Sequence, residues 1–431
     1  MRSRRPVRLT VVLSAMSLLS AACLGPGGGE GGGENVVTVL GTWTDAEAKA
    51  FEESVKPFEE ETGVDVKYEG SRNFTELVVA RVQGGNPPDI STPAQPGLLS
   101  DLVQQDAALP LSESVDVQAL QDSLIPGLIE SGQVDGEAYG LPMKLAVKSA
   151  LWYPVPEFEE AGYQVPETYP ELVDLQRQIA RDGETPWCIG AESAESTGWP
   201  ITDWIEEYVL RLHGPEVYDQ WISHELPFNS PEIKAAFEEF GKVVNTKGNV
   251  AGGARGVLAT NFGDSPQGLF EDPPNCYLER QANFITGFYP EDVQGDLDSN
   301  VGATYFPSGI QGGYQGDPVL VAGEYALLMT DNPDAKQLMK FLAQDSYGQS
   351  WAETGGYLSP HQGFDTSVYP DDVTRSLQEI AAEADVARFD GSDAMPGPVG
   401  SGSFWTESVA WLSGDQDLDT TLKKIDESWP E

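Results

Sequence analysis

Beyond position 34 the apolar residues fall into short blocks, some at strand spacing and others at helix spacing. Residues 35–40 (Asn-Val-Val-Thr-Val-Leu) predict a buried strand. Thr44-Asp45-Ala46-Glu47 has the spacing of a capping box, after which Phe51, Val55 and Phe58 share one face of a helix that Gly63 closes. Residues 64–68 predict a second strand, and residues 74–83 a second helix stopped by Gly84-Gly85. A short strand at Asp89-Ile90 and a helix from Gly97 extend the run. Strand-helix-strand order of this kind implies a parallel sheet with helices on its faces.

A second block starts near Val147. It contains a predicted helix at 171–181, a strand running into Cys188-Ile189, helices at 202–212 and 230–244, and a strand at 277–284. Residues 287–318 read as a glycine-rich loop, and helices return at 333–344 and 346–353.

The first 22 residues have a different character. Arg2, Arg4, Arg5 and Arg8 form a basic head, and residues 9–22 are then apolar or small and uncharged, too short a run to span a bilayer comfortably. The segment ends Leu19-Ser20-Ala21-Ala22-Cys23, which resembles a bacterial lipoprotein signal. The resemblance implies cleavage before Cys23 and lipid on that residue. Residues 24–34, mostly glycine, would act as a leash reaching roughly 20 Å. With Cys23 taken, Cys188 and Cys276 remain as a disulfide pair in an oxidising compartment. Such a bridge would contribute on the order of 4 kcal/mol.

Composition narrows the function. The 431 residues include 69 Asp or Glu against 25 Lys or Arg, a net charge of −44. Without the signal, 21 basic residues face the same 69 acids, or −48. A nucleic-acid binder needs a basic face to displace counterions from phosphates, so that class is excluded. The 40% apolar content is enough for a packed core, and the length predicts two domains. Three cysteines are too few for a disulfide-framework miniprotein or a zinc site of paired Cys-x-x-Cys motifs.

Signatures of catalysis are sparse. His224-Glu225 begins like a zincin helix, but Phe228 stands where the second His must fall. There is no Gly-x-Ser-x-Gly elbow and no Gly-Lys-Ser/Thr phosphate loop. Asp415, Asp417 and Asp419 have the alternate spacing of a calcium loop, yet Thr420 replaces its glycine and Asp426 its bidentate Glu, so no metal is expected. Tryptophan is more informative. Several of the ten stand beside Pro, Gly or polar residues, as in Gly41-Thr42-Trp43, Gly198-Trp199-Pro200 and Ser403-Phe404-Trp405. An aromatic face rimmed by hydrogen-bonding groups suits a sugar ring.

These segments occur among others in a telling order: Gly84-Gly85-Asn86-Pro87-Pro88-Asp89-Ile90, Gly140-Leu141-Pro142-Met143-Lys144, Thr185-Pro186-Trp187-Cys188-Ile189-Gly190, Phe270-Glu271-Asp272-Pro273-Pro274-Asn275-Cys276-Tyr277 and Gly355-Gly356-Tyr357. The chain resembles family 1 extracellular solute-binding proteins of carbohydrate ABC importers, above all their α-glucoside-binding branch, and it resembles maltose-binding proteins. The resemblance implies an α/β, two-lobed periplasmic-binding-protein fold of type II with the ligand cleft between the lobes. It implies an N-terminal lobe of residues 35–146 plus about 306–357 and a C-terminal lobe of 147–305 plus about 358–431.

For the site, the resemblance implies ligand contacts from Trp43, Thr44 and Asp45 after the first strand, and from Thr92 and Gln95 in the next loop. Where relatives carry a Trp and an acidic-basic pair in that loop, this chain has Pro93, Pro96 and Gly97. Residues 192–199 resemble a stacking loop, bringing in Glu192 and Trp199. Arg280 and Gln281 stand where relatives place an aromatic, so hydrogen bonding would replace stacking there. Trp405 matches a Trp that stacks on a glucosyl ring, and Gly356 and Tyr357 complete the set. Lys144 and Lys148 are rare cations between the lobes; Lys144 reads as a donor to sugar hydroxyls, and Arg72 and Lys148 read equally well as members of ion pairs.

The resulting expectation is a monomeric, lipid-anchored receptor on the outer face of the cell membrane, without catalytic residues or cofactor. It would take a small α-glucoside of the maltose, trehalose or sucrose class by lobe closure and deliver it to permease subunits. A secreted glycoside hydrolase acting on α-glucosides with Glu192 or another cleft acid as its general acid, and an adhesin or structural lipoprotein, are the readings from other classes.

Overall fold

A computed structural model describes residues 35–71 and 73–430; the side chains of Asp45, Ala46 and Glu195 are not described. The signal, Cys23, the leash and Arg72 lie outside the described residues.

The first block forms as its pattern dictates. Strand β1 (Val36–Gly41) runs parallel to β2 (Asp65–Gly70) and to β3 (Ile90–Thr92). Helix α1 (Asp45–Thr62) buries Phe51, Val55 and Phe58 and ends at Gly63, whose φ of 74° lets its N–H reach the Glu59 carbonyl. Thr44 holds the N-cap position, but Glu47 does not fold back as in a capping box; it extends to Lys144. Helices α2 (Phe74–Gln83) and α3 (Pro96–Gln104) follow at the expected places.

The sheet is mixed rather than purely parallel. Strand β4 (Gly140–Val147) leads through Lys148-Ser149 into β5 (Ala150–Pro154). A second block then intervenes, with helices α4 (Tyr169–Asp182), α5 (Trp199–Ile222) and α6 (Pro231–Asn245). Strands β6 (Glu279–Arg280) and β7 (Val301–Tyr305) flank β5 antiparallel as a three-stranded sheet. The chain returns as the 11-residue β8 (Pro318–Leu328), antiparallel to both β3 and β4. A strand that re-enters from the second block arrives from the opposite end, which is why it runs against β3. After helices α7 (Pro333–Leu342) and α8 (Asp372–Glu383), strand β9 (Val386–Phe389) joins β8 in parallel. The order of the large sheet is β9-β8-β3-β1-β2, with β4 also paired to β8. Helices α9 (Trp405–Ser413) and α10 (Leu418–Glu427) close the chain.

Two apolar cores result. One surrounds the large sheet. The other packs α5, α6 and α9 around Trp204, whose ring lies 5.1 Å from Trp187 and 5.6 Å from Phe240. The first core takes in Leu358, Phe364, Leu377 and Phe389, so the segment to Phe389 packs with the first block and not with the second, to which sequence assigned it. Only from Met395 do buried apolar residues join the second core.

Several second-block expectations change because long-range packing, not local pattern, sets them. The strand expected at Cys188-Ile189 is a single extended residue, Trp187, bridged to Val250 and Leu278. The strand expected over 277–284 shortens to β6 and passes into a 3-10 turn at Asn283–Phe288, and the expected loop 287–318 contains β7. Asp417 caps α10 by accepting the Thr420 N–H at 2.8 Å, and Asp419 pairs with Lys234, so the acidic turn serves a helix end. Cys188 and Cys276 form the expected disulfide, with Cα atoms 5.4 Å apart. Gly268 lies so close that a Cβ there would stand 2.6 Å from the Cys276 Sγ.

Beside this bridge, Glu279 on β6 is buried, with Ser265 donating to its Oε1 at 2.9 Å. Burial pushes its carboxyl up to about 8. Between the usual carboxylate pKa and 8 the folded chain keeps a proton that the unfolded chain has lost, so Glu279 makes stability fall as pH rises through that window. E279Q keeps the shape and removes the titration. The urea midpoint of E279Q should exceed that of wild type at pH 8 and the gap should close at pH 5; a gap independent of pH would contradict the assignment.

Candidate functional site

Besides passages at 278–285 and 301–306, which bring Ile285, Tyr289, Val293 and Val301 into the first core, three connections pass between the cores: residues 147–150, 305–318 and 389–395. They are tied side by side through the backbone. The Lys148 N–H donates to the Leu320 carbonyl, the Phe306 N–H to that of Ser149, and the Asp390 N–H to that of Val321, each at 2.8 Å. Beside them opens a cleft of about 1100 Å³. Its floor is Lys144, Leu145, Ala146 and Lys148 from β4 and its exit, with Gly323 and Glu324 from β8.

Lys144 donates to Glu47 at 2.6 Å and stands 5.1 Å above the Trp351 ring. Glu324 faces it across the β4–β8 pair; desolvation raises the Glu324 pKa and Lys144 opposes that rise. Lys148 donates to Asp203 at 2.9 Å and to Asp390, and its ammonium lies 5.6 Å from the Trp199 ring. Burial alone would discharge Lys148, but Asp203 and Asp390 outweigh it and hold the ammonium charged. The same pair splits the carboxyls. Burial pushes Asp203 up to about 6, whereas Lys148 overcomes burial at Asp390 and holds it below the usual range. Asp393, three residues on, is pushed up to about 8 by desolvation and then by the Asp390 charge; Gln95 hydrogen-bonds to it.

The walls carry aromatic rings. Trp199 opens α5, and Gly198 before it adopts φ 121° with its Cα so near Trp405 that a Cβ would stand 2.7 Å from the Trp405 carbonyl. That approach sets the two tryptophans together. Trp405 follows a wide π-type turn at Pro398–Phe404, a distortion often found where a helix presents a functional side chain. Phe262, Phe284 and Phe288 continue the wall.

Of the residues expected to bind ligand, Lys144, Trp199, Gly356, Tyr357 and Trp405 line this cleft, and Gln95 reaches it through Asp393. Tyr357 is only 1% exposed and donates to the Met143 carbonyl, which makes it a support. Others lie elsewhere. Trp43 is buried among Phe51, Tyr68 and Trp351, under the Lys144–Glu47 pair. Thr92 is fully buried in β3 against Gly41, and Thr44 precedes α1 without lining the cleft. Arg280 turns inward to Glu207 at 2.8 Å, and Gln281 accepts the Ala282 N–H. Arg280 is pulled into the second core's charge network, because Glu207 on α5 is fully buried and needs cations, while Gln281 is buried and its carbonyl accepts from the Trp152 ring N–H at 2.7 Å. Glu192 is spent on Asn261 and the Ala194 N–H, while its neighbours Ser193 and Ser196 line the cleft. The side chain of Asp45 and all of Arg72 lie outside the described residues. Asp390, Ser392, Asp393 and the three phenylalanines escape a sequence reading, since nothing local separates them from turn and core residues.

Residues 42–349 match the family model of bacterial extracellular solute-binding proteins. The chain belongs to that family. It is 39% identical over 421 residues to the osmoprotective compounds-binding protein GgtB of Synechocystis, covering 98% of both chains. It is 38% identical over 400 residues to the α-glucosides-binding periplasmic protein AglE of Rhizobium meliloti, covering 91% of this chain and 86% of that one. Among solved structures, the bacterial solute receptor AcbH superposes with a TM-score of 0.73 at 17% identity, over 91% of this chain and 95% of its own. RafE of Streptococcus pneumoniae gives 0.71 at 17% identity, over 93% and 98%. The fold is therefore the two-lobed type II binding-protein fold. Membership in an extracellular family makes the chain extracytoplasmic, and no described helix is long and apolar enough to cross a membrane.

Proposed function

We propose that this solute-binding protein is the lipid-anchored, monomeric sugar receptor of an ABC importer, taking a small α-glucoside of the maltose, trehalose or sucrose class and passing it to permease subunits. The observation that carries this reading is the pairing of Trp199 and Trp405 with Lys144, Lys148 and Asp393 around one cleft. Ring faces supply apolar stacking and the charged rim orients hydroxyls. The likeness to an α-glucosides-binding protein over most of both chains supports the same ligand class. Among the described residues seven carboxyl groups and two ammonium groups line the cleft, and even with Asp393 protonated the balance favours neutral ligands over phosphorylated or acidic sugars. In this reading the lobes meet at the three crossings, the first extending to Phe389, and ligand biases a hinge toward closure.

The hydrolase alternative loses Glu192 as its acid: a general acid needs a raised pKa, whereas the Asn261 and Ala194 hydrogen bonds hold Glu192 below its usual range. Asp393 is the cleft acid with a raised pKa that remains to it, and released glucose would mark that chemistry. The likeness to GgtB supports a second reading, in which the cleft serves an osmoprotective compound.

Titrating tryptophan fluorescence with maltose, trehalose, sucrose and non-sugar osmoprotectants separates these readings. A saturable change with a glucoside and no released glucose is expected; a response only to a non-sugar compound refutes the glucoside assignment. Trp405→Ala should weaken glucoside binding roughly tenfold with an unchanged unfolding curve. An unchanged dissociation constant would remove Trp405 from the site.

A further inference from the structure

Buried charges need partners, and the crossings hold more acids than cations. Helix α5, β6 and the crossings gather five carboxyls, Asp203, Glu206, Glu207, Asp390 and Asp393, and three cations. Lys148 serves Asp203 and Asp390, Arg280 serves Asp203 and Glu207, and Arg211 meets Glu207 at 2.6 Å. Among the described residues Glu206 and Asp393 have no ion pair, so two protons balance the group. One proton is out of reach. Glu206 is fully buried, with the Gly391 and Ser392 N–H groups donating to it at 2.8 and 3.1 Å. Tyr218 has one hydroxyl proton for two oxygens, the Phe389 carbonyl at 2.9 Å and Glu206 Oε2 at 3.2 Å, so a proton on Glu206 completes both contacts. Asp393 differs, being the one acid of the five that is not fully enclosed, and it lines the cleft. Its turn packs against α3, α5, β9 and the π-type turn. The charges acting on it are Asp390, Lys148 and Asp203, and Gln95 at the start of α3 hydrogen-bonds to it. Arg388 on β9 is taken by Asp219, and residues 398–404 carry no ionisable side chain.

We propose that Asp393 is a proton switch for ligand capture: the cleft holds its neutral ligand while this carboxyl keeps a proton and lets it go once the proton leaves for alkaline water. The proposal rests on the sugar-receptor reading and names its regulation. Asp390, three residues away on the same turn, already takes Lys148, so a charge on Asp393 meets two unfavourable neighbours, Asp390 and Asp203, and is solvated mainly by water in the cleft. A ligand that displaces that water therefore competes with ionisation. The sign follows by linkage. Asp393 without ligand is pushed up to about 8, and a bound ligand desolvates it further, so binding takes up a proton above that pH and weakens as pH rises through it.

The test measures, by titration calorimetry, dissociation constants of the mature protein and of D393N for maltose, trehalose and sucrose at pH 6.5, 7.5, 8.5 and 9.5. The wild type should hold its preferred sugar evenly up to pH 7.5 and about tenfold more weakly at pH 9.5. D393N keeps the shape and cannot ionise, so its own constant should vary less than threefold over the range. Glu279 titrates in the same window in both proteins but does not line the cleft, so the difference between them isolates Asp393. Binding to wild type at pH 9, repeated in two buffers of different ionisation heat, should show uptake of close to one proton. This measurement needs no variant and decides the matter should D393N melt early. A wild-type constant that does not change with pH, an equal slope in D393N, or no proton uptake overturns the switch while leaving the receptor reading intact. If no sugar binds wild type at any pH, both readings fall together.

Discussion

Replacing Lys148 by Met is expected to destabilise the protein by about 3–5 kcal/mol at neutral pH, the usual cost of stripping the partner from a buried ion pair. The side chain is 7% exposed and its partners Asp203 and Asp390 are 1% and 2% exposed, so water cannot replace the lost ammonium. Arg280, 3.7 Å from Asp203, compensates one carboxylate only in part, and Asp390 keeps hydrogen bonds from Ser392 and the Asp393 N–H but no cation. The loss should shrink at acid pH. Asp390 titrates low in wild type because of Lys148; without it the carboxyl rises and takes up a proton. Urea unfolding of wild type and K148M at pH 5 and pH 7.5 reads this directly, and a loss below 1 kcal/mol at both would show the network is not a structural tie. Lys144→Met is the contrast. Its partner Glu47 is half exposed, so the pair contributes at most about 1 kcal/mol. Its substitution should act on ligand binding rather than stability.

The disulfide is the second large effect. It joins residues 88 apart, and the span between them carries α5 and α6, the main helices of the second core. Opening it frees that span in the unfolded chain, a loss of about 4 kcal/mol in the chain-entropy account. The C188A/C276A variant should lower the unfolding free energy by that amount and leave the proposed site in place, because neither cysteine lines the cleft. Because the bridge packs against Leu269 and Phe270, Ala is the gentler replacement. An unfolding free energy within 1 kcal/mol of wild type would show that the bridge does not constrain the unfolded ensemble.

The legible parts of this protein are those where one segment satisfies itself. Helix α1 is written in Phe51, Val55, Phe58 and Gly63, helix α2 in its own span, and β1 in a run of β-branched residues, because each needs only its own periodicity and one apolar surface to lie on. The disulfide was legible from counting cysteines, and the family from ordered short motifs. Trp199 and Trp405 stood out because aromatic residues flanked by glycine and polar groups pack poorly in a core.

Tertiary structure alone decided the rest. Trp43 has the same local signature as Trp199, yet it is buried because Phe51, Tyr68 and Trp351 from three other segments close over it. Arg280 is drawn inward by Glu207, 73 residues away, and Lys148 is clamped by Asp390, 242 residues away. Charges find partners by distance in space, and a sequence does not list those distances. The β4–β8 pairing that floors the cleft, and the wall of Phe284 and Phe288 beside it, arise where a chain that has left the first core comes back to it. Local pattern determined what each segment is. Closure of the long loops determined which segments face one another, and so where a ligand can be held.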